Sequence, residues 1–452
     1  MQSSFGGRPH FVIRSTLRAV AFSFVAALTA CSGAIPAHGL VTPGSEGLGP
    51  DDGYYPLTTR GALRAVCPPV EGPGEMRCFA WMRTDLHAQP SRSKGIPKGI
   101  GYTANQIQAA YRLDVSRGGG QTVAIVDAFG DDTAASDLAT YRKAAGLPPC
   151  TVASGCLRIV NENGQTSPLP KQPNASSNKI GWTFEETLDL DAVSAACPNC
   201  KIVLLQAGRQ YSSSLYKAVA SAARLGANVI ANSYGGGEAS PAAPAAFDQP
   251  GHVIVASAGD SGGGNLYYGG PQMPCTYANV VCVGGTRLTH KHGVWHEVVW
   301  NDLASTACGY SCGATGSGCS AVVPKPSWQT DRGCTFRSET DVAATASPLA
   351  PFAIYSALFK KLYGSGWQSF GGTSLSAPLI AGMFALAGNA ATRHGAREIW
   401  QDHSALRDVT SGDNIDPPIT GACASKVAYV CVAGSGYDGP TGWGTPNGTG
   451  AL

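Results

Sequence analysis

Four side chains in this sequence have types and neighbours that suit nucleophilic and acid–base chemistry, and a serine is the first of them. Ser374 lies in GGTSLSAP, directly before the apolar run LIAGMFALAG, so we expect it where a loop meets a helix. Its hydroxyl would then lie near the positive end of a helix dipole and could act as a nucleophile. A serine in this place could equally be a helix N-cap, with Pro378 tolerated in the first turn. The choice depends on whether the chain supplies a base.

A histidine base is not indicated. In a subtilisin-type Ser/His/Asp enzyme the chain order is Asp, His, Ser, and Asp127 at the end of the strand-like TVAIV has the position of that aspartate. The sequence, however, has no histidine between His87 and His252. An ordinary serine esterase is also disfavoured, because GGTSLSAP does not have the G-x-S-x-G pattern of the nucleophile elbow.

Two carboxylates occupy the stretch where the histidine is missing. The segment FEETLDLD contains Glu185 and Asp189, which share one face if the segment is helical. Carboxylates held together repel each other, which raises the pKa of at least one and makes it a usable base. The alternative interpretation is a solvated acidic helix start, which the helix dipole also favours.

A further aspartate follows an apolar strand. Asp260 lies in ASAGDSG after VIVA, and ligands of open α/β sheets bind at the carboxyl ends of strands. An ordinary Asp-Ser-Gly turn would give the same pattern.

The elements that would position these residues are short apolar strands alternating with helical patterns. This alternation predicts an α/β fold with a doubly wound parallel sheet and flanking helices. A helix is predicted over Ser213–Leu225, ending at Gly226, and the segment 287–329 is expected to form long connections with some β structure. The predicted strands are 122–126, 201–205, 228–231, 253–256 and 280–283.

Taken together, these segments resemble the sedolisin family of serine-carboxyl peptidases, which have a subtilisin-like fold and use a glutamate in place of the histidine. The resemblance runs from about Tyr102 to the C-terminus, with its landmarks in family order. It implies hydrolysis of peptide bonds in proteins or peptides, at acidic pH because the oxyanion-hole aspartate donates only when protonated. The roles implied are nucleophile for Ser374, general base for Glu185, orienting carboxylate for Asp189 and oxyanion-hole donor for Asp260.

Some questions stay open at this point. A secreted binding module that keeps the fold without catalysis is the alternative function, and the sequence does not separate an endopeptidase from a tripeptidyl peptidase. Asp127 stands where some family members have glutamate and Tyr234 where some have tryptophan, so neither receives a primary role.

The resemblance also implies one structural Ca²⁺ near the C-terminus. Carboxylate and carbonyl oxygens on loops are the ligands that calcium prefers. The implied ligands are Asp408, Val409, Gly434, Gly436 and Asp438.

The N-terminal region has the layout of an export signal. Residues 1–31 combine arginines with an apolar stretch too short to span a bilayer, so we expect secretion and no transmembrane helix. LTAC also resembles a lipobox, which would place a lipid anchor on Cys31. Residues 32–100 are interpreted as a short pro-segment, smaller than the family's usual pro-domain, and residues 101–452 as the peptidase domain.

Composition limits the remaining possibilities. Lysine plus arginine number 32 against 30 acidic residues, which gives no basic surplus for nucleic acid, and we expect a monomer. Fifteen cysteines leave an even number once Cys31 is set aside, which suits disulfides in an oxidising compartment. Neighbouring cysteines that could form local bridges are 67 and 78, 150 and 156, 275 and 282, and 423 and 431. Cys197 and Cys200 could be a redox pair, but a small structural loop is the favoured interpretation in a secreted, cysteine-rich chain.

Overall fold

The computed structural model describes residues 62–88, 95–240, 243–264, 270–303, 312–393, 395–415, 423 and 428–452. The predicted signal peptide and Cys31 lie outside these residues. The helices are α1 (Ala104–Ala110), α2 (Ala134–Ala144), α3 (Gly181–Ala196), α4 (Ser212–Arg224), α5 (Ala357–Tyr363), α6 (Thr373–Ala387) and α7 (Ala396–Gln401).

The strands, in chain order, are β1 (Leu63–Ala65), β2 (Arg77–Cys78), β3 (Trp81–Arg83), β4 (Thr122–Ala128), β5 (Leu157–Asn161), β6 (Lys201–Ala207), β7 (Val229–Asn232), β8 (Tyr234–Gly237), β9 (Val253–Ser257), β10 (Ser261–Gly263), β11 (Gln272–Met273), β12 (Val280–Lys291), β13 (Val294–Val299), β14 (Ala314–Ser317), β15 (Cys319–Pro324), β16 (Phe336–Ser338), β17 (Val342–Thr345), β18 (Phe352–Tyr355), β19 (Trp367–Gly371), β20 (Leu406–Arg407) and β21 (Thr445–Pro446).

A sheet of eight strands forms the centre of the fold, in the order β13-β12-β9-β7-β4-β6-β5 with β17 also beside β12. Its neighbours pair in parallel, except for the antiparallel edge strand β13. Successive residues of β4 face opposite sides, so Val123 and Ile125 join the core that contains α3 and α6, whereas Ala124 and Val126 join the core that contains α4. Burial of both faces explains why these strands are continuously apolar, and the predicted doubly wound α/β sheet is confirmed.

The segment before residue 101 contributes strands to this fold. β3 pairs with β19, and β2 pairs with β8, although the composition of this region shows little periodicity. The segment 287–329, expected to form long connections with some β structure, is strand from its start, because β12 continues to Lys291 and turns into β13.

Disulfides close short loops around the sheet. Within the described residues they join Cys67–Cys78, Cys150–Cys156, Cys197–Cys200, Cys275–Cys282, Cys319–Cys334 and Cys423–Cys431. The disulfides predicted from neighbouring cysteines are therefore present. Over the same residues, none of the helices has the length and apolar character needed to cross a bilayer.

Candidate active site

Ser374 is the second residue of α6 and lies directly after the end of β19. Gly372 is the N-cap, with a φ of 102°, and the hydroxyl of Ser374 makes no capping bond. Its Oγ instead donates to the carbonyl oxygen of Ser233 at 3.0 Å and accepts from the backbone N–H of Phe79 at 2.9 Å. The capping alternative is thus wrong for Ser374. Pro378 lies in the second turn rather than the first, where its ring nitrogen leaves the Ser374 carbonyl without its helical donor.

Glu185 and Asp189 lie one turn apart on α3, as predicted. The alternative of a solvated acidic helix start is wrong, because α3 begins at Gly181 and all of its residues are buried. Burial, followed by the charges of Asp189 and Asp127, raises the pKa of Glu185 well above its usual value. The nearby hydroxyl of Ser374 acts in the opposite direction on the pKa of Glu185, although neither oxygen of Glu185 has a partner in hydrogen-bonding geometry among the described residues.

The hydroxyl of Ser233 holds Asp189 in place. Ser233 follows β7 and its Oγ lies 2.9 Å from Oδ1 and 2.7 Å from Oδ2 of Asp189. Since its backbone carbonyl accepts from the hydroxyl of Ser374, Ser233 connects Ser374 with Asp189. Burial and the charge of Asp127 raise the pKa of Asp189, despite the opposing bond from Ser233.

Asp127, which received no primary role in the sequence analysis, completes this carboxyl cluster. It lies near the end of β4, is fully buried, and both of its oxygens lack hydrogen-bond partners among the described residues. Burial raises its pKa to about 8. Its place at the end of a strand is visible in the sequence, whereas its closeness to Glu185 follows only from the packing of α3 against β4.

Asp260 lies on the other side of Ser374, between β9 and β10. Its Oδ1 accepts from the backbone N–H of Thr373 at 2.9 Å and from the Thr373 hydroxyl at 2.7 Å. Burial raises its pKa to about 7, against lowering effects of Thr373, Arg77 and Trp81. Its Oδ2 has no partner in hydrogen-bonding geometry within the described residues. A protonated Oδ2 beside the N-terminus of α6 suits the stabilisation of an oxyanion.

The predicted calcium ligands lie in two neighbouring loops. Asp408 accepts from the N–H of Gly436 at 2.8 Å, and Asp438 accepts from the N–H of Gly434 at 3.1 Å. Burial, with a contribution from the charge of Asp408, raises the pKa of Asp438 to about 7. The carboxylates of Asp408 and Asp438 thus lie close enough to interact, and carboxylate oxygens on loops are ligands of the kind that calcium prefers.

Comparison with known proteins relates this chain to subtilisin-like peptidases. The sequence pattern of the subtilase family matches residues 172–410. Kumamolisin of Bacillus sp. (strain MN-32) is 28% identical over 381 residues, which cover 77% of this chain and 62% of kumamolisin. Sedolisin of Pseudomonas sp. (strain 101) is 34% identical over 186 residues, which cover 38% of this chain and 28% of sedolisin. The chain thus spans less than two thirds of the length of these relatives.

The fold is shared with a solved structure, that of Pseudomonas sedolisin, a serine-carboxyl proteinase complexed with two molecules of pseudo-iodotyrostatin. The two structures superpose with a TM-score of 0.62 at 24% identity, covering 77% of this chain and 96% of that chain. The predicted subtilisin-like fold is confirmed.

Proposed function

This chain belongs to the subtilase family as a sedolisin-like member, and from that premise we propose that it is a serine-carboxyl peptidase that hydrolyses peptide bonds of proteins. The observation that carries the proposal is the convergence of Ser374, Glu185 and Asp260 at one buried point. These residues come from α6, α3 and the β9–β10 connection, which are far apart in sequence.

In the proposed reaction Ser374 attacks the carbonyl carbon of the substrate. Glu185 accepts the hydroxyl proton and then delivers it to the leaving amine, while Asp189, held by Ser233, positions Glu185 one helical turn away. The N–H of Ser374 and the protonated carboxyl of Asp260 stabilise the oxyanion. Because burial raises the pKa of Asp260 to about 7, this donor is available throughout the acidic range.

The nucleophile is tested by Ser374→Ala, with Ser376→Ala as the matched control on the same helix. Ser376 donates to the carbonyl of Thr373 within α6 and does not take part in the site. Hydrolysis of denatured casein is followed between pH 3 and 8 after the full chain has been incubated in acid. We expect Ser374→Ala to lower the rate by about 10³-fold or more, and Ser376→Ala to retain it.

The base is tested by Glu185→Gln against Glu186→Gln. Glu186 is equally buried but accepts from Gln206 at 2.8 Å, away from Ser374. A loss of about 10²-fold or more is expected for Glu185→Gln alone. Full activity of Glu185→Gln would remove the carboxylate base from the mechanism. A folded wild-type chain inactive at every pH would instead favour the binding module that keeps the fold without catalysis.

The calcium site is part of the same proposal, with Asp408, Asp438 and the carbonyls of Val409, Gly434 and Gly436 as ligands. A bound divalent cation would neutralise the two carboxylates and fix their loops to each other. Secretion is proposed as well, on the basis of the export signal in residues 1–31.

A further inference from the structure

A strand from the N-terminal region crosses the catalytic serine. β2 pairs antiparallel with β8, placing Arg77 opposite Gly235 and Cys78 opposite Tyr234. A few residues later β3 pairs with β19, and Trp81 lies opposite Gly371, just before the nucleophile. The peptide between these two paired strands, at Phe79 and Ala80, therefore lies over Ser374.

The backbone of Phe79 contacts the reacting groups directly. Its N–H donates to Oγ of Ser374 at 2.9 Å, and its carbonyl oxygen accepts from the N–H of Ser374 at 3.3 Å. A Cβ on Gly372 would lie 2.0 Å from this carbonyl oxygen and 2.9 Å from Oδ2 of Asp260. The carbonyl of Phe79 thus lies beside both groups that would stabilise an oxyanion, where a carbonyl about to be attacked belongs.

The side chain of Phe79 lies in a pocket next to the same strand. Its ring is buried against Gly235, where a Cβ would be 2.8 Å from Cε2 and 2.9 Å from Cζ. Only a glycine at position 235 leaves room for the aromatic ring. An extended backbone paired with an edge strand, together with a filled side-chain pocket, is how a polypeptide binds as an added strand.

The segment is held on both sides of the Phe79–Ala80 bond. On the N-terminal side, the Cys67–Cys78 disulfide closes a loop next to Phe79. On the C-terminal side, Arg83 forms an ion pair with Asp85 at 2.6 Å and donates to the carbonyl of Pro348 at 3.3 Å. Ser374 is fully buried beneath this strand, so no other polypeptide can reach it while the strand remains.

We propose that Ser374 cleaves the Phe79–Ala80 peptide bond of its own chain, and that residues 62–79 block the active site until that bond is broken. This inference rests on the proposed peptidase function and adds the maturation site and the residue held before the cleaved bond. Both cysteines of the Cys67–Cys78 pair lie on the N-terminal side of the bond, so this disulfide does not retain the blocking segment after cleavage.

The reaction is an ordinary acyl transfer followed by hydrolysis. Oγ of Ser374 forms a bond to the carbonyl carbon of Phe79, and the hydroxyl proton passes to Glu185. The bond from that carbon to the nitrogen of Ala80 then breaks, and Glu185 returns the proton to this nitrogen, which becomes a free amino terminus. Water hydrolyses the acyl-enzyme, leaving Phe79 with a carboxylate and restoring the Ser374 hydroxyl.

The test follows the purified full chain after a shift to acidic pH, by intact mass and N-terminal sequencing, with casein hydrolysis measured on the same samples. We expect a new N-terminus at Ala80, formed at a first-order rate independent of protein concentration, because the bond is already positioned. Casein hydrolysis should start with a lag that matches this cleavage.

Two variants support the assignment. Ser374→Ala should keep the bond intact, also when a trace of active wild-type chain is added. Ala80→Pro removes the amide hydrogen and restrains φ at the leaving nitrogen, and should lower the cleavage rate by at least tenfold, whereas Ala80→Gly should still be cut. Circular dichroism checks that Ala80→Pro has folded.

Other outcomes separate this inference from the peptidase function. Casein hydrolysis that requires Ser374 while the Phe79–Ala80 bond stays intact would overturn the inference and leave the peptidase function standing. Primary cleavage at another bond, or a rate proportional to protein concentration, would overturn it too. If neither casein nor the chain itself is cut, the peptidase function fails together with it.

Discussion

At the scale of single residues, the two oxygens of Asp260 are in different surroundings. Oδ1 accepts from the N–H and the hydroxyl of Thr373, whereas Oδ2 has no partner in hydrogen-bonding geometry among the described residues and lies 2.9 Å from where a Cβ on Gly372 would be. Because Oδ1 is committed as an acceptor, the proton of the neutral acid belongs on Oδ2. The expectation of acidic activity follows from a carboxyl that donates only when it is protonated. Burial raises the pKa of Asp260 to about 7 and so extends the pH range in which this carboxyl is protonated toward neutrality.

Asp260→Asn is a sharp test of this assignment. The asparagine carbonyl can accept both bonds from Thr373, and its amide can donate at any pH. We expect wild-type kcat/KM to fall as pH rises through about 7, where Asp260 ionises, and the variant to retain its activity beyond that point. Asp260→Leu, which has no donor, should lose about 10²-fold or more at every pH. Identical upper pH limits in wild type and Asp260→Asn would argue against Asp260 as the titrating donor.

At the scale of elements, α3 and α6 carry the proposed base and the proposed nucleophile, and the separation of these two helices is set by small residues. A Cβ on Gly382 would lie 2.7 Å from the Cβ of Ala196 and 3.4 Å from the carbonyl of Val193. Both helices are buried along their full lengths, so they have no free side toward which to move. The relative position of Glu185 and Ser374 therefore depends on contacts several turns away.

Gly382→Ala should push these helices apart. Overpacking of this kind costs about 1–3 kcal/mol in the free energy of unfolding, and we expect kcat to fall with little change in KM, since the strand that crosses Ser374 pairs with β8 and β19 rather than with these helices. Thermal unfolding and casein kinetics measure the two effects. Gly119→Ala is the control, because a Cβ at this exposed glycine meets nothing within 4 Å. A fully active, equally stable Gly382→Ala would show that the helix spacing is not critical.

At the scale of the whole molecule, the interior holds an unusual number of carboxyl groups whose pKa values are raised. Burial raises the pKa of Asp127 to about 8, and those of Asp131 and Asp260 to about 7. These groups are protonated in the folded chain over a pH range in which they ionise in the unfolded chain. Their contribution to stability is therefore fully present below about pH 4 and is lost as pH rises toward 7 to 8.

We expect the melting temperature to fall between pH 4 and pH 8, measured by scanning calorimetry. Asp127→Asn removes one of the titrating groups, so its melting temperature should exceed that of wild type at pH 8 by several degrees, at about 2–4 °C per kcal/mol, and match it at pH 4. Asp132→Asn changes an exposed carboxylate and is the control. A melting temperature that rises with pH would contradict this account of the buried carboxyls.

A bound calcium ion would stabilise the folded chain, since its proposed ligands join two loops near the C-terminus. We expect EDTA to lower the melting temperature and excess calcium to restore it, by the free energy of binding to the folded state. Asp438→Asn should lose this response, whereas Asp402→Asn, an exposed carboxylate outside the site, should keep it. Equal melting temperatures with and without EDTA would contradict the proposed calcium site.

The sequence by itself determined the fold class and the candidate reacting groups, because both leave local signals. Apolar strands alternate with helical patterns, and the i, i+4 spacing of Glu185 and Asp189 needs only one helix. The limits of the prediction appear where partners are distant in sequence. Asp127, Ser233 and Phe79 join the site through sheet order and strand pairing, which no short stretch encodes.

Only the tertiary structure decided the protonation and the accessibility of the site. A pKa is set by the surroundings that the fold brings together, so the raised pKa values of Glu185, Asp189 and Asp260 follow from burial that the sequence pattern cannot measure. Residues 77–83 cross Ser374 because they pair with strands that are distant in the sequence. Phe79 and Ser374, which are in contact, are 295 residues apart. Composition marked that segment as a leader, and three-dimensional packing placed it in the active site.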